Sequence, residues 1–293
     1  MITVAERERP ARAFPFHNNR AIALGYRQGP PAAIKALDES VAAMRARGLE
    51  TLGWWQLSTS LQFRLMAGEL ESAADLAAAS AENLGRTGLV SAHESRAQLV
   101  RANVALGRTE SLSPDWVDTA LDSGTGPDFR TISAIAALEW LVATGDVERA
   151  TAVLDDVVAA GLDNLELLPR LPAYARVAAL VGRPDVIQSI ADLISDATPL
   201  GRAGRLAASG YAHLDDAPES AAVAFASAAA AFAELGATHE QVHALLGEAL
   251  TRSRLPSIEN QAHGREALQL AQQLFTQMGA VPAAAQCAAA LAP

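Results

Sequence analysis

Cysteine and lysine are nearly absent: Cys287 is the single cysteine of 293 residues, and Lys35 is the single lysine among 23 basic ones. One thiol can make neither an intrachain disulfide nor a cysteine-based metal cluster, which suits a reducing cytoplasm. Arginine in place of lysine, together with abundant alanine, reads as the product of a GC-rich bacterial genome. Aromatic residues are only 5% of the chain, which disfavours a β-sandwich and favours closely approaching helices. A net charge of −10 removes the general pull toward phosphate backbones and anionic lipid, so no direct nucleic-acid partner is expected. No segment reaches the ~18 uncharged apolar residues of a membrane span. Glu6, Arg7, Glu8 and Arg9 stand where a secretory leader would need an apolar run. The expectation is a cytoplasmic protein without a membrane partner.

What is present is a ruler of glycines. Gly29, Gly68, Gly107, Gly145 and Gly182 each follow an alanine- or leucine-rich stretch, at intervals of 39, 39, 38 and 37 residues. A second series, Gly48, Gly88 and Gly161, falls between them, each placed to cap a helix in the left-handed conformation. Two interleaved series mean two helices per repeat. The fold class predicted is all-α, a superhelical array of about seven antiparallel helix pairs. Helices are expected over residues 17–26, 32–47, 51–67, 70–84, 91–106, 114–121, 131–144, 147–160, 167–181, 186–195, 202–214, 218–235, 238–252, 258–278 and 283–291. Residues 1–13 are charged and proline-punctuated and read as a mobile tail, leaving 14–293 as one repeat domain. The third repeat, about 108–127, carries Ser111-Leu112-Ser113-Pro114-Asp115 and Ser123-Gly124-Thr125-Gly126-Pro127, so a bend or hinge is expected there.

Gly145-Asp146-Val147-Glu148-Arg149-Ala150 and Gly68-Glu69-Leu70-Glu71-Ser72-Ala73 resemble the turn and second-helix start of tetratricopeptide-type repeats. Ala231-Phe232-Ala233-Glu234-Leu235-Gly236-Ala237, echoed by Phe275-Thr276-Gln277-Met278-Gly279-Ala280, is similar to the helical-repeat region of large bacterial LuxR-type or cyclase-linked NTPase regulators. The resemblance implies a sensor and partner platform. The periods exceed the usual 34 residues of a tetratricopeptide repeat. No phosphate-binding Gly-x-x-x-x-Gly-Lys-Ser/Thr loop occurs, so NTPase activity does not carry over.

Two constellations could carry function. Counting back six residues from each turn glycine reaches Gln62, Arg101, Glu139 and Arg176, which should line up in successive first helices. Glu139 interrupts an otherwise apolar helix, and a buried charge needs a partner, which flanking arginines would supply. The column is either an ion-pair ladder fixing the register of the repeats or a ligand-reading strip on the concave wall. Counting back thirteen gives Trp55 and Glu94, and counting back ten gives Ser58. Trp55 with Ser58 and Gln62 could form an anchor pocket or core.

The second constellation is His239-Glu240-Gln241-Val242-His243, which matches H-E-x-x-H, the helical zinc-hydrolase pattern. Leu246 and Ala249 occupy the positions of the metzincin glycine and third histidine, so a third ligand would have to be His263, Glu259 or Glu266. No Ser-His-Asp spacing, Gly-x-Ser-x-Gly elbow or Cys-His pair is present. The sequence therefore leads to a non-enzymatic interaction or sensor scaffold without metal or cofactor, binding a peptide or a small anionic effector in its groove. A zinc hydrolase built on His239 and His243 and a purely structural assembly subunit, including a homodimer through alanine-rich ends, are the alternatives.

Overall fold

The structure, a computed structural model, describes residues 10–88, 91–112, 115–121, 127–161 and 169–292. These form fifteen α-helices and one short 3-10 turn, with no strand among the described residues. In chain order they are α1 (Pro10–Gln28), α2 (Pro30–Arg45), α3 (Glu50–Ala67), α4 (Leu70–Gly85), α5 (Ser91–Ala105), α6 (Asp115–Leu121), α7 (Pro127–Thr144) and α8 (Val147–Ala160). There follow α9 (Leu171–Leu180), α10 (Pro184–Leu193), α11 (Pro199–Ala212), α12 (Pro218–Glu234), α13 (Thr238–Ser253), α14 (Ile258–Gln277) and α15 (Val281–Leu291).

The glycine ruler measures the helix ends correctly because each glycine does a job that a side chain would obstruct. At Gly145 the chain turns with φ +83°, the amide of Asp146 returns to the Leu141 carbonyl, and the Asp146 carboxylate caps α8 by accepting from the Arg149 amide at 3.2 Å. Two expectations change. Residues 10–13 are already helical, so the first helix opens at Pro10; the rest of the expected tail, residues 1–9, lies outside the described residues. The expected start of the ninth helix at Leu167 also lies outside them. The irregular third repeat is a 3-10 turn at Thr109–Ser111 and the seven-residue α6, with 113–114 and 122–126 outside the description.

Neighbouring helices pack as antiparallel pairs, and the odd-numbered helices also pack on one another from pair to pair. Where the sequence suggested a concave groove, the structure brings helices from the two ends of the chain into contact. Helix α1 packs on α11, and α3 packs on α13. One apolar cluster consequently spans both ends, from Ala21, Leu37, Phe63 and Leu106 to Phe232, Val242, Phe275 and Cys287. A second cluster, built on Ile135, Leu138, Tyr174, Ile187 and Ile190, fills the middle.

The contact is made turn against turn. Pro31 abuts Gly236, Gly68 faces Met278, and Gly107 faces Pro282. Gly145 and Gly182, in the middle of the chain, have nothing within 4 Å of where a Cβ would stand. The first three turn glycines therefore serve two purposes, reversing the chain and admitting the far end.

Candidate functional site

The first helices of the middle pairs are apolar because they are wrapped on all sides, and that wrapping makes the few polar residues in them conspicuous. Helix α7 is buried along Ile132–Leu138 and again at Leu141, with Glu139 between. Its carboxylate is gripped from both flanks. Arg101 of α5 donates to it through Nε at 2.8 Å and Nη2 at 3.2 Å, and Arg176 of α9 donates through Nη2 at 2.8 Å. The column thus exists for three of its four members.

The chain of charges then leaves the repeat and crosses to the C-terminal half. Arg176 Nη1 reaches Glu240 Oε2 of α13 at 3.5 Å, and the other oxygen of Glu240 lies 3.4 Å from His239 Nδ1. The residues singled out as a ladder and those singled out as H-E-x-x-H are one network. The Tyr211 hydroxyl stands beside Arg176, and burial holds it neutral, pushed up to about 12. Arg170 pairs with Glu94 at 3.3 Å next to this network, so three arginines and three glutamates balance in the interior.

Geometry sets the protonation states. Burial alone would push the Glu139 carboxyl up, but the two guanidiniums outweigh it and hold it below the ordinary 4.5. Glu240 behaves likewise: burial is outweighed by the hydrogen bond from His239 and the charge of Arg176. His243 moves the other way. Burial and the nearby Arg176 and His239 depress its imidazole well below 6.5, so it is neutral at physiological pH.

A pH dependence follows from these directions. Between pH 6.5 and the folded value of His243, the unfolded chain binds a proton that the folded one refuses, so stability falls as pH falls through that window. Below 4.5 the unfolded carboxylates take protons that Glu139 and Glu240 refuse, and the loss steepens. Urea midpoints measured from pH 8 downward should begin to drop near 6.5, and His243→Gln should shrink the drop above the carboxylate range to the part due to His93, which burial and Arg96 also depress; an unchanged profile in that variant contradicts the assignment.

The network forms one wall of a cavity of about 250 Å³. Arg101, Glu139, Arg176, His239 and His243 supply the polar side, and Leu65, Val104, Val142, Val177, Leu246, Phe275 and Met278 supply the rest. Ala143 and Leu180 lie exposed at its rim.

The remaining candidates fall elsewhere. Gln62 is buried, and Leu65, three residues on in the same helix, reaches the cavity instead. Ser58 is turned onto its own helix, donating to the Trp55 carbonyl at 2.7 Å. Trp55 stacks on Phe14 with ring centroids 4.2 Å apart, so it anchors α1 to α3. The anchor pocket expected from Trp55, Ser58 and Gln62 is thus not formed. Glu94 is held by Arg170 rather than presented to a groove.

The metal alternative loses its third ligand. The His239 and His243 rings do lie together, 4.7 Å apart and edge to face, but Glu240 is committed to Arg176. Glu259, His263 and Glu266 point to solvent from α14. Among the described residues no three His, Cys, Asp or Glu side chains are grouped to hold a metal.

Sequence reasoning missed Glu240 as a partner of the ladder, and Arg170, Tyr174 and Tyr211 as its surroundings. Only Glu240 had a signal, its place in a motif that required it to face inward beside His239. No helix is long and apolar enough to cross a membrane among the described residues. Compared with protein-family models, curated proteins and solved structures, the chain matches none.

Proposed function

We propose that this chain is a non-enzymatic sensor scaffold: tetratricopeptide-like helix pairs wound into a superhelix that closes on itself and holds a small molecule in the cavity at the closure. The observation that carries this reading is the single polar wall assembled from α5, α7, α9 and α13, helices drawn from both halves of the chain. A ligand there touches both halves at once. It therefore favours whichever fit between them best accommodates it, which is the differential contact that a sensor requires.

The same geometry refines the ligand expected from sequence. An extended peptide suits an open groove, whereas a cavity of about 250 Å³ suits a small molecule. Arg101 and Arg176 are already neutralised by Glu139 and Glu240, which favours a ligand of no net charge over an anionic effector. Occupancy would be read by a protein partner, in keeping with a role in bacterial signalling or transcriptional regulation. The short α6 leaves the outer layer thinnest beside α5 and α7, and that is where the two halves would flex.

A thermal-shift screen of small uncharged metabolites tests the reading. A ligand at a hundred times its Kd adds about 2.7 kcal/mol of stability. Ala143→Trp, at the exposed rim, should leave the unliganded chain folded and abolish that shift. A shift of equal size in the variant would place the ligand elsewhere and end the proposal.

A further inference from the structure

The cavity does not end at the C-terminal half. A second space of about 580 Å³ lies between α13, α14 and α15, and Leu246, Phe275, Ala283 and Gln286 line both. The two adjoin across these four side chains. Ala283, Cys287 and Ala290 of α15 line the second space with short side chains, beside Gln286 and Leu291.

Helix α13 forms the floor along its whole length. His239, His243, Leu246, Leu250 and Ser253 follow one another at intervals of four, three, four and three residues, which is one face of a helix. At 1.5 Å per residue that stripe is about 21 Å long. Its inner end is polar and charge-balanced, its middle is apolar, and Ser253, Gln261 and Arg265 stand at the outer rim. Leu250, in the outer stretch, is 60% exposed, an apolar floor left uncovered. A neutral imidazole offers one N–H donor and one acceptor, the complement of a hydroxyl group.

From the single face of α13 that lines both spaces, polar and charge-balanced at one end and apolar beyond it, we infer that the occupant is an uncharged single-chain amphiphile, a monoacylglycerol or fatty alcohol. Its hydroxyl head meets His239 and His243, and its acyl chain lies along Leu246 and Leu250 toward the outer groove. The inference rests on the cavity reading above and adds the ligand class.

The test uses the fluorescent probe N-phenyl-1-naphthylamine and its displacement by monobutyrin, monolaurin and laurate, each below its critical micelle concentration. Monolaurin should displace the probe, with affinity rising about fourfold per buried methylene along the series. In an Arg265→Gln background, which leaves no guanidinium at the outer rim to take its carboxylate, laurate should bind at least about tenfold more weakly than monolaurin, because it adds an unpaired charge to a balanced interior. Leu250→Glu, at an exposed position, should weaken monolaurin more than about tenfold without loss of fold. Ala283→Trp, which fills the place where the two spaces adjoin, should remove the chain-length dependence.

Affinity independent of chain length, or laurate binding as tightly as monolaurin in the Arg265→Gln background, overturns the ligand class. In that case a compound still sensitive to Ala143→Trp leaves the cavity reading standing. A dimer in light scattering that Leu250→Glu splits would show that a second copy covers the groove, and the inference would fall.

Discussion

Glu139→Ala is expected to lower the stability of the folded chain by about 3–5 kcal/mol, because it strips the carboxylate from between two buried guanidiniums. Arg101 makes its ion pair with Glu139, so it would be left charged in an interior where it is 8% exposed. Arg176 would keep Glu240, at the longer distance of 3.5 Å. The size of the loss measures the burial of the arginines more than the worth of the bond itself. Removing the charges together should cost much less, since apolar side chains of similar volume often replace buried ion networks without penalty. A quadruple variant, Arg101→Met with Glu139→Leu, Arg176→Met and Glu240→Gln, leaves no carboxylate of the network unpaired and should therefore unfold at a higher urea concentration than Glu139→Ala alone. If Glu139→Ala unfolds like the native chain, the column is solvated and the interior site does not exist.

The second large effect is expected at Gly107. Its φ of +76° nearly matches the +83° of Gly145, and both close the first helix of a repeat. Placing a side chain in that conformation costs about 1–2 kcal/mol at either position. Only at Gly107 would the new Cβ run into another part of the chain, the Pro282 ring at the start of α15. Gly107→Ala should therefore cost about 1–3 kcal/mol more than Gly145→Ala, the usual penalty for overpacking. The extra loss should appear as release of α15. Cys287, buried on that helix, is the only thiol, so its rate of reaction with a disulfide reagent reads the release directly. The rate should rise in Gly107→Ala and stay unchanged in Gly145→Ala. Equal rates in the two would mean that α15 is not docked on the turn after α5.

These two sites mark how far the sequence could be read. The helices and their turns were legible because glycine spacing and capping residues such as Asp146 are local signals, fixed within a few residues of where they act. The Arg101, Glu139 and Arg176 column was legible for a related reason: a repeat copies its register, so residues one period apart must stand side by side. Closure was not legible. It depends on contacts between helices far apart in sequence, α1 with α11 and α3 with α13, and the alanine-rich faces that meet there leave no distinctive pattern. Glu240 therefore read as a metal-site glutamate, because its actual partner lies 64 residues away on another helix. Trp55 could be read either way. Its size suits an anchor for a partner or a place in the core, and it stacks on Phe14 while staying 41% exposed.

The contact of Arg176 with Glu240, which joins the column to α13, is the claim on which the polar wall of the cavity and the proposed ligand depend. A double-mutant cycle with Arg176→Met and Glu240→Gln, followed by urea unfolding, measures that contact alone. Direct contact should give a coupling of about 1 kcal/mol or more, within the range for residues of one ion-pair network. Additive losses, agreeing within about 0.3–0.5 kcal/mol, would mean that the residues are apart and the column does not reach α13.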